Sequence, residues 1–446
     1  MKNILLIVAD CARAEKTIVD VPQSSPGTRR SARLPFLESL RERGTTWSRF
    51  FAVSSTTTPN FAAMFTGLAP REHGIVEHSR HALRDVPTLA EILREHGYHT
   101  VAEVTGPLVR ECGLDRGFTD YRWRDRSAYL HAGFGEYVRE LLPRLDQPWF
   151  LCLHLWEAHA PYQNPPPFRG AEYGVTPYDR ALSALDHQLL EVCADVHPEE
   201  TTVIYCGDHG ERLTADYELN ETLGGDEMDV LRCYQRYVAR HSGGFDFDAW
   251  FETARAELGE IPARIYAHNA LGHGFHLTDE LVHIPLVIVD EERCAAGATD
   301  DSLRSQVDFH ATVLDLAGIE NAAGAGPGRS LLAPPAQGGD PEMIYIEANG
   351  SGGKKYASRC YLRGARSREW KYWRVEGAST NHPVLWNLHD DPRETTNVAA
   401  SHPDVVREMD RFTSEWLERG PAGAAAELTP AEEKVLEKTL RSLGYL

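Results

Sequence analysis

Short apolar runs that end on hard polar donors constrain this chain more than any other feature. Residues 3–9 form an uninterrupted apolar stretch after Asn3 and stop at Asp10. Similar runs at 99–104, 149–156, 202–205, 284–289 and 343–347 alternate with helical patterns at 34–43, 88–96, 133–142, 178–196 and 307–317. Alternation of this kind predicts an α/β fold with a large, mostly parallel sheet flanked by helices on both faces. The first run is too short for a signal peptide and ends on an acid, so it reads as a buried strand. No run of about 18 apolar residues occurs, so no membrane span is expected.

Charge and cysteine usage narrow the function. The 446 residues carry 66 acids against 46 bases, a formal charge of −20. An acidic surface repels nucleic acid and anionic lipid, so neither is an expected partner. The eight cysteines contain no CxxC pair, which reads as reduced thiols in a cytoplasmic protein. Arginine supplies most of the positive charge, and no lysine stands between Lys16 and Lys354.

The chain divides on pattern into 1–335 and 342–446, joined by a Gly-, Ala- and Pro-rich linker from 318 to 341. Inside the first part, about 213–270 is polar, aromatic and poorly periodic at its start, and reads as an insertion. The second part reads as a small antiparallel sheet followed by two helices. Thr429, Pro430 and Glu432 form the capping signature of the last helix.

Ligands of open α/β sheets bind at the carboxyl ends of the strands. Asp10, Asp208-His209 and His159 all follow predicted strands. Together they offer oxygen and imidazole donors for a divalent cation, although an aspartate alone at such a place is usually a helix cap. Residues 54–67 place Pro59 in the first turn of a helix with Thr57 or Thr58 as its cap. A hydroxyl there stands at a positive helix end. It becomes a nucleophile if a metal binds it; without one it is an ordinary cap.

These pieces together resemble the sulfatase family of the alkaline phosphatase superfamily, over nearly the whole chain. Asp10 with Arg13 resembles the opening metal segment. Thr57-Thr58-Pro59-Asn60-Phe61-Ala62 through Thr66-Gly67, then Pro70 and His73-Gly74, is similar to the nucleophile motif. His159-Ala160-Pro161-Tyr162 and Asp208-His209-Gly210-Glu211 are similar to the family's later motifs, as are Gly272-His273-Gly274 and the segment 390–397. The resemblance implies the alkaline-phosphatase/sulfatase sandwich with a C-terminal subdomain.

The departures shape the expected activity. The family's Cys or Ser is Thr57, and the arginine needed for its maturation is Phe61, so no formylglycine is expected. Cys11 replaces a second aspartate and reads as a buried, inert thiol, with a soft outer metal ligand as the alternative. His273 stands where a lysine is usual. A threonine nucleophile resembles the phosphodiesterase and phosphonate hydrolase branch. The resemblance therefore implies hydrolysis of a small anionic phosphate or phosphonate ester through a phospho-threonine. Thr57, His159 and His273 are the expected catalytic groups, and Asp10, Thr57, Asp208 and His209 the metal ligands. Arg13, Asn60 and His78 are the expected substrate contacts, with a structural salt bridge the equal alternative for Arg13. Mn or Zn is favoured, with Ca or Mg as alternatives. Two other readings stay open: a sulfuric ester hydrolase without formylglycine, and a metal-binding protein without turnover. A homo-oligomer is compatible with either.

Overall fold

The computed structural model describes residues 1–19, 31–77, 82–213, 252–253, 256–257, 273–274, 276–319, 326–333, 341–349, 361–376, 383–394, 396–424 and 428–443. His78 and nearly all of the 213–270 insertion lie outside the described residues, as does most of the linker.

The strands in chain order are β1 (Asn3–Ala9), β2 (Thr45–Trp47), β3 (Phe50–Phe51), β4 (His99–Val104), β5 (Asp120–Trp123), β6 (Trp149–Leu155), β7 (Thr201–Gly207), β8 (His283–Ile284), β9 (Leu286–Val289), β10 (Ala298–Asp300), β11 (Arg304–Ser305), β12 (Met343–Ala348), β13 (Tyr361–Ser367), β14 (Trp370–Glu376) and β15 (Val384–Asn387). Eight of them form one sheet in the order β10-β2-β9-β7-β1-β6-β4-β5. All pairings are parallel except those that β9 makes with β2 and β7. The expected mostly parallel sheet is therefore present, with β1 near its centre.

Both faces of β1 are buried, which is why its sequence is a continuous apolar run rather than an alternation. Ile4, Leu6 and Val8 pack with Phe61, Phe150 and Ile204. Leu5, Ile7 and Ala9 pack on the opposite face with Leu37, Leu151 and Leu182. Asp10 continues the first of these faces beyond the strand end, and His154 is the register partner of Val8 on β6. Strand period alone thus brings Asp10 and His154 to one side of the sheet.

Two elements differ from expectation for local reasons. The run 284–289 is two strands, because Pro285 has no N–H to donate and the chain changes sheet there. β8 pairs with β3, and β9 pairs with β2 and β7. The long helix spans Pro177–Val192 and stops four residues early. Val196 N–H donates to the Cys193 carbonyl at 3.0 Å, in a turn that leads into Pro198. Its start is well defined, with Thr176 and Asp179 forming a capping box.

The C-terminal part is a four-stranded antiparallel sheet, β12-β13-β14-β15, with the helix Pro403–Glu418 against it and the helix Pro430–Leu443 at the end. Thr429 and Glu432 cap the latter reciprocally. The sheet reaches the main body where Glu347 N–H donates to the Val53 carbonyl at 2.8 Å. Val53 lies just before the segment that carries Thr57. No helix among the described residues is long and apolar enough to cross a membrane.

Two buried histidines give the fold an acid limit. Burial pushes the His73 imidazole down to about 3 and that of His310 down to about 4. In the unfolded chain both titrate near about 6.5. Between those values the unfolded state binds protons that the folded state does not, so stability falls as pH falls. Each histidine contributes a slope of about 1.4 kcal/mol per pH unit within that window. His310→Leu is expected to flatten the slope by that amount between about pH 6 and about 4.5, measured by urea unfolding. An unchanged slope would show that His310 does not titrate between the two states.

Candidate active site

Thr57 begins the helix Thr57–Thr66, and the cap is Thr56, one residue earlier than expected. The Thr56 side chain makes no capping hydrogen bond to this helix, and its hydroxyl meets Ser54 Oγ at 3.2 Å. The helix ends at Gly67, whose φ of 69° suits glycine, and a Cβ there would come 3.2 Å from His310 Cβ.

The Thr57 hydroxyl lies 3.1 Å from His209 Nε2. The other nitrogen of that ring, Nδ1, is 2.8 Å from the Gly210 carbonyl and must donate to it. Nε2 faces the Thr57 hydroxyl and stands 3.5 Å from Asp208 Oδ2. The close approach of the chain at Gly210 leaves no room for a side chain, since a Cβ would lie 1.9 Å from the Glu280 carbonyl oxygen.

Asp10 and Asp208 are fully buried. Asp208 Oδ1 accepts from the main-chain N–H groups of Cys11 at 3.2 Å and His209 at 2.8 Å. Asp10 Oδ2 pairs with His154 Nε2 at 2.9 Å. Among the described residues, Asp10 Oδ1 and Asp208 Oδ2 have no hydrogen-bond partner. Burial works against charge on Asp10, but His154, His159 and His209 outweigh it and hold that carboxyl far below the usual range. Burial and then the Asp10 charge push Asp208 upward. Two buried carboxylates with an unpartnered oxygen each suit a cation between them, and the donor set of carboxylates and imidazole fits a divalent metal. Ligand atoms of Asp10, His154 and Asp208 all lie within 4.8 Å of one another, as do those of Asp10, Cys11 and His209.

Beside this pair stands a second group. Cys11 Sγ is 3.4 Å from Glu211 Oε2, 3.9 Å from His273 Nδ1 and 4.0 Å from His209 Nδ1. The His159 ring stacks on Trp156 at 4.0 Å, and its Nδ1 is 2.6 Å from the Ala160 carbonyl. Burial pushes His159 down to about 4, so it is neutral at pH 7. Burial also works to lower His273, but Glu211, 3.3 Å from its Nδ1, more than compensates and raises it.

The structure thus brings Asp10, Thr57, Asp208, His209, His159 and His273 together. Two expected substrate contacts have other engagements. Arg13 reaches the Glu211 carbonyl at 3.2 Å and pairs with Glu15 and Glu280. The Asn60 amide bonds both main-chain groups of Ser54 and donates to the Asp208 carbonyl at 2.9 Å. Both therefore brace the loops that carry the donors. Sequence reasoning missed His154 as a member of the site, gave Glu211 a place in the motif but no role, and preferred an inert thiol to an outer ligand for Cys11. His154 could have been found as a lone histidine near the carboxyl end of an apolar strand.

The sulfatase family model matches residues 2–319. The chain belongs to the sulfatase family. Human arylsulfatase K is 21% identical over 92% of this chain and 81% of its own length. Among solved structures, a phosphonate monoester hydrolase of Agrobacterium radiobacter superposes with a TM-score of 0.66 at 16% identity, covering 94% of this chain and 96% of that one. A 2-O GAG sulfatase gives 0.64 at 15% identity, covering 94% and 92%. This sulfatase-family site, with its buried donors around a helix-borne hydroxyl, is that of a metal-assisted hydrolase acting on ester bonds.

Proposed function

We propose that this sulfatase-family chain hydrolyses a small phosphate or phosphonate ester with Thr57 as the nucleophile. One observation carries the reading: the Thr57 hydroxyl stands 3.1 Å from His209 Nε2, beside two buried carboxylates that each keep an oxygen without a hydrogen-bond partner among the described residues.

Asp10, Asp208, His209 and the Thr57 oxygen would hold the metal. A divalent ion there supplies charge neutralisation and makes a bound hydroxyl easier to deprotonate. Thr57 Oγ1 attacks phosphorus, forming a P–O bond as the bond to the leaving oxygen breaks. Water then hydrolyses the phospho-threonine and returns the hydroxyl. The start of the helix Thr57–Thr66 favours the anionic group that is being transferred. His273 adjoins His209, with ring centroids 4.4 Å apart, and His159 adjoins His273 at 5.1 Å; one of these two imidazoles gives the leaving oxygen its proton. The six described cysteines are free thiols, which supports a reducing, cytoplasmic setting.

The test uses four p-nitrophenyl esters: a phosphate monoester, a phosphodiester, a phosphonate ester and a sulfate ester. Each is offered to chelator-treated protein reloaded separately with Mn, Zn, Mg or Ca. Turnover of a phosphorus ester, absent after chelation and restored by Zn or Mn, is expected. Turnover of the sulfate ester alone would contradict the phosphorus reading.

A further inference from the structure

Arg84 carries a charge that the rest of the described molecule leaves unanswered. Its main chain is fixed, with the N–H donating to the His73 carbonyl at 3.0 Å. Its stem crosses Gly74, where a Cβ would come 2.8 Å from Arg84 Cγ. Nε is buried, and among the described residues the guanidinium makes no hydrogen bond or ion pair. A buried N–H on a cation is costly unless an acceptor answers it. With Arg71, Arg363 and Tyr361, Arg84 lines a cleft of about 490 Å³ between the main body and the C-terminal sheet. No carboxylate is among the described residues that line it, and none of them belongs to the cluster around Thr57.

We propose that this cleft binds an organic phosphate or phosphonate, an oxyanion that carries an apolar substituent. Arg71 and Arg363 share one carboxylate oxygen, Glu376 Oε2, which lies 3.0 Å from Arg363 Nη2. Arg363 Nη1 also donates to Asn349 Oδ1 at 2.6 Å and stands 3.9 Å from Glu347 Oε1. Three guanidinium groups thus meet two acids, and the surplus charge is that of Arg84. In a chain of formal charge −20, a cleft lined by three arginines and no acid marks a place for an anion.

The lining selects the ligand. Guanidinium forks bind the oxygens of phosphate and phosphonate in pairs. A tetrahedral oxyanion turns oxygens toward donors that arrive from separate elements, whereas a carboxylate offers its two in one plane. Leu417, Pro421 and Tyr361 form an apolar wall beside the cations, which an apolar substituent covers and bare phosphate does not. Arg71 and Arg84 belong to the main body, and Arg363 and Tyr361 to β13. An anion held by all three arginines therefore joins the two parts and stabilises the folded chain. Such a site is independent of the ester that Thr57 attacks.

Phenylphosphonate, which has no ester bond to lose, is titrated calorimetrically into the metal-loaded full chain and again after chelation. Inorganic phosphate and benzoate are titrated in parallel. One equivalent of phenylphosphonate that survives chelation is expected, bound at least about tenfold more tightly than either simpler anion and raising Tm. Arg84→Gln should weaken that equivalent by at least about tenfold, and Arg84→Lys by less. Arg144→Gln, which removes an exposed arginine paired with Glu140, should leave it unchanged. Ester turnover in Arg84→Gln should match the parent, so failure of the ester assay alone would overturn the nucleophile reading and leave this site standing. Absence of binding after chelation overturns the proposal, and so does binding that Arg84→Gln leaves unchanged. Inorganic phosphate or benzoate binding as tightly as phenylphosphonate would overturn the ligand class.

Discussion

Thr57→Ala is expected to lower kcat/KM for the preferred ester by at least about a thousandfold, a barrier increase of more than about 4 kcal/mol. The substitution removes the only atom of this side chain that can bond to phosphorus. It leaves the helix start intact, because Thr56 is the cap and alanine is a good helix former. The variant loses the Thr57 oxygen as a metal ligand but keeps Asp10, Asp208 and His209, so it is assayed at saturating metal. Parallel measurements of kcat/KM and bound metal separate a lost nucleophile from a lost cation. Turnover within about tenfold of the parent would exclude Thr57 as the attacking group.

Lys371→Met is expected to cost about 3–5 kcal/mol of folding stability, without direct contact with the ester. Lys371 lies on β14 with no solvent exposure and pairs with both Asp279 and Glu394. Arg366 on β13 reaches the same aspartate at 2.8 Å, and Glu394 accepts the Asp279 N–H at 2.8 Å. The network ties the C-terminal sheet to the segment that follows His273. Met fills the space of the lysine stem but removes the ammonium that faces both Asp279 and Glu394, leaving Asp279 with Arg366 as its one remaining cation among the described residues. Burial, only partly offset by Lys371, already pushes Glu394 up to about 8, so in the variant it keeps its proton across neutral pH. A raised carboxyl favours folding below its unfolded value and loses that contribution as pH rises through the folded one. The variant should therefore weaken further toward alkaline pH. Urea unfolding at neutral pH measures the loss, and Lys371→Met with Glu394→Gln should recover part of it. A loss under about 1 kcal/mol would show that the network contributes little.

The legible parts of this molecule are those where one physical pattern has one outcome. The apolar run ending on Asp10 could only be a central strand, because both of its faces are apolar. Asp208 and His209 follow the same logic on β7, and the capping signature of Thr429 and Glu432 is local chemistry. What the sequence could not show is the direction of polar side chains within a motif. Arg13 and Asn60 have the spacing of ligand contacts, and both bond main-chain carbonyls of the loop after β7, Arg13 that of Glu211 and Asn60 that of Asp208. His154 hides among apolar neighbours, where a histidine reads as core until β1 and β6 are paired. Pro285 marked a break in a strand, but which sheets the two halves join depends on distant partners.

The central claim is that Thr57 carries the phosphoryl group between two half-reactions. Rapid acid quench of enzyme turning over its preferred phosphorus ester, followed by proteolysis and mass spectrometry, tests it most directly. The account predicts one added phosphoryl group on the peptide that contains Thr57, located to that residue by fragmentation and absent without ester. A peptide unmodified at Thr57 during steady turnover, or the phosphoryl group on another side chain, would contradict it.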